Sequence, residues 1–212
     1  MARINRDFMG PLRELLRDMS AGRSRLFLGH WLASEYFVSR EFPRWLAGLM
    51  FQVSRPEHRH VIAENIWDEH GNGDFQRSHF MQCKAMVTSL GVPISKAPPP
   101  SAASYMDGVQ GMVSGGLVPA LAVIGAGNEY LIPFEYQSIW RHFEATGWTS
   151  AEMGAFFRSN LMADATHIEQ LNVVLHAEVH SADRVAAFFA AADVAIALRL
   201  RFYHDLVDAL PC

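Results

Sequence analysis

The sequence predicts an all-α fold, a compact bundle of seven or eight helices. Three observations predict it. Apolar residues recur at three- and four-residue spacing along most of the chain. The breaks between these runs hold Ser, Asp, Gly and Pro, the residues that start and stop helices. No stretch shows the strict alternation of a half-buried strand.

The elements follow in order. Residues 8–19 form a short amphipathic helix. A longer one covers about 27–53, where Leu28, Trp31, Leu32, Phe42, Trp45 and Met50 keep helical spacing. Pro43 is expected to kink this helix or split it in two. Pro56 suits the first turn of the next helix, which runs to Glu69. The run Gly71-Asn72-Gly73 stops it. Asp74 or Ser78 caps the following helix, which reaches Leu90 and stops at Gly91. The Pro-rich stretch 92–101 is a loop. Helices then cover about 102–114 and 117–145. Thr149 or Ser150, with Glu152, starts the next, which runs to about 178. Ser181 and Asp183 start the last, which ends near Leu210.

Size and composition bound the function. A chain of 212 residues, half of them hydrophobic, suits one domain over 1–212. Charged residues make up 19%, which argues against disorder. The net charge is -4, so no electrostatic footprint for nucleic acid exists. The only cysteines are Cys83 and Cys212, so neither a disulfide framework nor a CxxC motif is present. The N-terminal stretch is charged throughout (Arg3, Arg6, Arg13, Arg17), unlike a signal peptide. The apolar runs near 112–125 and 185–198 are interrupted by Gly, Pro or Asp and read as buried helices, with no membrane partner. A cytoplasmic protein is expected.

Carboxylates and histidines on three helical stretches carry the chemistry. They are the residue types that bind iron, manganese or zinc. Asn160, Asp164 and His167 share one face of a helix, and the preceding turn of that face carries Phe156 and Phe157. An inward carboxylate and imidazole need partners. A metal ion is one answer, and a buried hydrogen-bonded pair is the other. Glu129 follows the apolar run LVPALAVIGAG, and Pro133 removes the amide that would bond its carbonyl. A kink there either aims the carboxylate inward or leaves it solvated at a helix break. Glu69 closes one helix and His79 opens the next, so the glycine turn can fold them onto one site. Glu64, Asp68 and His70 are further donors nearby, read as exposed or supporting.

His176, His180 and Asp183 form a rival cluster, read mainly as the structural turn before the last helix. His204 reads as a partly buried histidine. His-Glu-x-x-His is absent, and GAGNEY has no strand before it to make a dinucleotide fingerprint.

Taken together, ENIWDEHGNGDFQRSH, GAGNEYLIP and FFRSNLMADATH resemble the heme-oxygenase-like diiron oxidases and oxygenases, in the wider group of TenA, PqqC and CADD-type proteins. The resemblance spans about residues 30 to 205. It implies a heme-oxygenase-like bundle with a metal site at its middle, held by Glu69, His79, Glu129, Asp164 and His167. Glu129 would be the central carboxylate. Asn160 stands where the family's H-x-x-x-D-x-x-H motif has its first histidine, which leaves one of two metal positions with a weaker donor. Glu35 and Glu64 are additional candidates for the metal or its surroundings. The resemblance implies Fe(II), two ions or one, with manganese tolerated by the same donors. Dioxygen and a small amine, amino acid or fatty acid would be its substrates. Phe156, Phe157, Tyr130 and Trp140 would wall the pocket or fill the core. Homodimers fit such bundles. Two other readings remain: a metal-independent TenA- or PqqC-like enzyme, with Cys83 as its only internal nucleophile, and a non-catalytic interaction module with a decayed site.

Overall fold

The computed structural model describes residues 4–17 and 19–211, the side chains at 5 and 162–165 apart. Every regular element among these residues is helical. A π-helical turn (Asn5–Met9) leads into α1 (Gly10–Arg17), followed by α2 (Ala21–Gln52), α3 (Pro56–Glu69), α4 (His79–Ser89) and α5 (Pro100–Ser114). Next come α6 (Leu117–Ile124), a π-helical turn (Gly125–Glu129), α7 (Ile132–Thr146), α8 (Ala151–Glu178) and α9 (Ala182–Asp208). With α6 and α7 taken as one interrupted helix, the described chain has eight, as the sequence predicts.

Helix α2 is the axis. Its Leu28, Trp31, Leu32, Leu46 and Leu49 are buried, and it packs on α3, α4, α5, α6, α7 and α9. Pro43 lies inside α2 without ending it, so of the kink or split expected there the split does not occur. A proline in a helix costs about 3 kcal/mol. Here Trp45, Leu46 and Leu49 beyond it enter the same core as Trp31 before it, and that burial offsets the lost hydrogen bond. Phe156 and Phe157 also belong to the core, where Phe157 stacks on Trp31.

Capping residues act where the sequence places them. Ser78, Ser150 and Ser181 each accept a hydrogen bond from the amide three residues on, at 3.2, 3.0 and 3.3 Å. Asp74 caps the short 3-10 turn Phe75–Arg77. By length and hydropathy alone Leu117–Thr146 would suffice to cross a membrane, but 61% of its apolar window is buried inside the bundle.

Two interruptions position the site. The first is Gly71-Asn72-Gly73, with φ of 84°, 55° and 92°. The left-handed backbone reverses the chain within a few residues, so the end of α3 meets the start of α4. The second is the π turn, where Tyr130 N–H bonds the Gly125 carbonyl at 2.9 Å, five residues back. The extra residue, with Pro133 just beyond it, produces the break expected at Glu129. Helix α8 packs against α3, α4 and this π turn, where the three supply site residues.

Gly71 is the tightest point. A Cβ there would lie 2.2 Å from the Asp74 carbonyl oxygen and 2.7 Å from the Ser78 amide. Gly71→Ala is expected to cost upwards of about 1–3 kcal/mol. Gly91→Ala, also left-handed but with open space, is expected to cost only about 1 kcal/mol. Urea unfolding of both variants checks this; equal costs would show that the turn tolerates a side chain.

Candidate metal centre

Four of the five sequence-predicted ligands, Glu69, His79, Glu129 and His167, come together. His79 Nδ1 lies 2.9 Å from Glu69 Oε1 across the glycine turn. His167 Nδ1 lies 3.5 Å from Glu129 Oε1 and 3.8 Å from Glu69 Oε1. Glu69, Glu129 and His167 are all buried, and one ligand atom from each falls within 4.8 Å of the others. Small rotations of the carboxylates would close such a triad around one ion. Asp164 lies on α8 one turn before His167, but its side chain is outside the described ones. Asn160 is buried, and its amide donates to the Phe156 carbonyl at 2.8 Å.

The electrostatics of this cluster call for a cation. Neither carboxylate oxygen of Glu129 has a hydrogen-bond partner, and neither has His167 Nδ1. Burial raises the Glu129 pKa, Glu69 adds to the rise, and His167 and His79 offset only part of it. Burial works against the charged form of His167, yet Glu129, Glu69 and Asp68 outweigh it and raise that pKa to about 9. The His79 pKa also rises: burial opposes, and Glu69 prevails. The imidazolium is thus the local counter-charge to buried carboxylates. A metal ion would take over that role with twice the charge.

Asp68 is the residue whose part the sequence leaves undefined. Its Oδ2 lies 3.0 Å from His167 Nε2, and its Oδ1 accepts from Asn72 in the glycine turn. The bond holds a proton on Nε2, so the inward Nδ1 is the nitrogen left for a ligand. Asp68 stands one residue before Glu69, and that adjacency was the only signal of it. The pairing itself joins residues 99 apart in sequence.

Other candidates fall elsewhere. Glu64 lies on the outer wall, where it accepts from Gln170 at 3.2 Å. His176 and His180 are exposed, and His180 bonds the Ala177 carbonyl, so that segment is the structural turn expected of it. His204 is exposed rather than partly buried, because α9 turns it away from the core face that holds Tyr203 and Phe202. Cys83 is fully buried, and burial, with Glu35 adding, pushes its thiol well above the usual range. That is the setting of an inert thiol.

Behind the triad, a cavity of about 30 Å³ is bounded by Glu69, His79, Glu129 and Asn160 on one side and by Glu35, Tyr136 and Arg199 on the other. Arg199 is 2% exposed and pairs with Glu135 through Nε at 2.9 Å and through Nη2. Its Nη2 also faces Glu35 at 3.4 Å. Tyr203 donates to Glu135, and Tyr136 donates to Glu35 at 2.9 Å. Glu35 therefore borders the same cavity as the triad but is engaged by Tyr136 and Arg199. Burial raises its pKa, and Arg199 counters part of the rise.

A family model for iron-containing redox enzymes matches residues 29–200. The chain belongs to that family. Its fold is that of solved relatives. A CADD-like protein of unknown function from Nostoc punctiforme superposes with a TM-score of 0.81 at 15% identity, covering 98% of this chain and 93% of that one. A domain of unknown function with a heme oxygenase-like fold from Shewanella denitrificans gives a TM-score of 0.71 at 16% identity, covering 92% and 82%. No curated protein matches the chain. The family's iron and the unpartnered oxygens of Glu129 agree, since the donor set of two carboxylates and an imidazole suits iron.

Asp68→Asn is expected to keep the fold and weaken metal affinity about 10–100-fold, the usual effect of losing a ligand's supporting carboxylate. Competition titration with manganese on the purified variant measures it. An unchanged affinity would mean that the Asp68 bond does not orient His167.

Proposed function

We propose that this protein is a non-heme iron-dependent oxygenase or oxidase that uses dioxygen to oxidise a small amine, amino acid or fatty acid. The observation that carries the reading is the pair of unpartnered Glu129 oxygens beside the unpartnered Nδ1 of His167, in a chain of the iron-containing redox family. Glu69, Glu129 and His167 would hold one iron, with His79 beside them. Asp164, with the neutral amide of Asn160, would complete a second position, so the centre is read as dinuclear. Manganese would fit the same donors. When bound, iron supplies the electrons that reduce dioxygen and thereby the oxidising equivalents for a C–H or N–H bond.

The remaining work belongs to the chain. Asp68 holds the proton on His167 Nε2 and turns Nδ1 inward. Glu129 offers a carboxylate that makes no hydrogen bond, with the His167 ring 3.5 Å away as its facing group. Phe156 and Phe157, buried beside Asn160 on α8, keep bulk water from the inner side. The protein's partners are then a small substrate and dioxygen, and its compartment the cytoplasm.

Anaerobic reconstitution with ferrous iron, followed by desalting and exposure to dioxygen, tests the reading. The expected result is about two iron ions per chain, as in dinuclear bundle sites, with dioxygen uptake. Asp164→Ala is expected to lower the iron content and abolish uptake. Absence of specific iron binding in the wild-type protein would overturn the reading in favour of a metal-free enzyme or a binding module.

A further inference from the structure

The outer face of the metal cluster opens into a pocket of about 540 Å³, and His79 and His167 line it. That volume suits a small-molecule ligand. The walls are polar: Arg77, Gln82, Ser159 and Gln170 among them, with Trp67 as the one large apolar surface. The indole of Trp67 is 58% exposed and lies along the glycine turn, where a Cβ on Gly73 would come within 3.2 Å of it.

The charged groups facing this pocket differ in one respect. Asp68 is engaged by His167 and Asn72, and Glu64 by Gln170. The guanidinium of Arg77 makes no hydrogen bond or ion pair among the described residues. Its backbone is held firmly nonetheless. Arg77 N–H bonds the Asp74 carbonyl at 2.8 Å, and Arg77 O accepts from Gln82 at 2.7 Å. Gln82 in turn bonds Ser159 of α8 at 3.2 Å, which ties the Arg77 segment to the helix that carries His167. A planar guanidinium free to donate two parallel bonds is the side chain suited to a carboxylate.

We propose that Arg77 binds the carboxylate of a short polar organic acid, amino acids foremost, in this pocket, with the body of the acid against Trp67 and its far end toward His79 and His167. This deepens the oxygenase reading above and rests on it for the reaction, though not for the binding. It also narrows the substrate class. A fatty acid would need an apolar channel. The outer pocket offers one indole, and the inner cavity of about 30 Å³ has room for only about one or two waters.

The test is ligand-induced thermal stabilisation followed by calorimetry, on metal-free and manganese-loaded protein. The probes are the common L-amino acids, their decarboxylated amines, and saturated fatty acids from octanoate to palmitate. The expected result is that one or more amino acids bind, while the matching amines and all the fatty acids bind far more weakly. Arg77→Gln is expected to weaken the amino-acid Kd by about ten-fold or more, the loss of one charge-assisted contact, and Arg77→Lys by less. Manganese affinity should stay unchanged in both variants. Fatty acids or amines binding best, no amino acid binding, or an unaltered Kd in Arg77→Gln would each overturn the proposal. Failure of wild-type protein to take up metal would strike the oxygenase reading instead, and the metal-free titration would still report on Arg77.

Discussion

Glu129 is 1% exposed, and neither of its carboxylate oxygens meets a hydrogen-bond donor. An ionised carboxylate in such a place costs several kcal/mol unless a positive charge compensates it. In the metal-free chain the compensation is the His167 imidazolium, 3.5 Å away. Nearly everything distinctive in the fold serves this group. The π turn presents Glu129 inward, the glycine turn sets Glu69 against His79, and Asp68 fixes the imidazole that faces both carboxylates. A bundle built for stability alone would place a leucine there. The cost is understandable when a metal ion repays it.

The second buried charge cluster follows the opposite rule. Arg199, Glu135 and Glu35 are as deeply buried as Glu129, yet their carboxylates are met by the guanidinium or by the hydroxyls of Tyr203 and Tyr136. Both of its carboxylates are engaged, although Arg199 Nη1 is left without a partner, and it borders the small cavity behind the triad. The two clusters side by side separate a carboxylate used for structure from one kept free for a ligand. The engagement of Glu35 by Arg199 and Tyr136 leaves the outer pocket, with its uncommitted Arg77, as the open approach to the centre.

Much of this was legible in the sequence, for local reasons. Ser78, Ser150 and Ser181 mark helix starts because capping acts over three residues. Glu69 and His79 meet because a short left-handed turn joins them. The break at Glu129 follows from Pro133. What escaped depends on packing between distant segments. Asp68 acquires its role only when α8 lies along the end of α3. Arg199 does carry a local signal, since Ala192, Ala195, Ile196, Phe202, Tyr203 and Leu206 put it on the buried face of α9. Its partners on α2 and α7 follow from tertiary contacts alone. Pro43 does not split α2, because the core on both sides of it holds the segment as one helix.

Glu129 is held without a hydrogen bond, faced by His167 and open to a cation, and one paired measurement tests this directly. Thermal unfolding of wild-type protein and Glu129→Leu would be followed without metal and with ferrous iron under anaerobic conditions. Iron is expected to raise the wild-type Tm, since a ligand bound only by the folded state stabilises it. Glu129→Leu is expected to be at least as stable as wild type without metal and to gain nothing from iron. A metal-free variant well below wild type, or an iron-induced rise that survives the substitution, would contradict it.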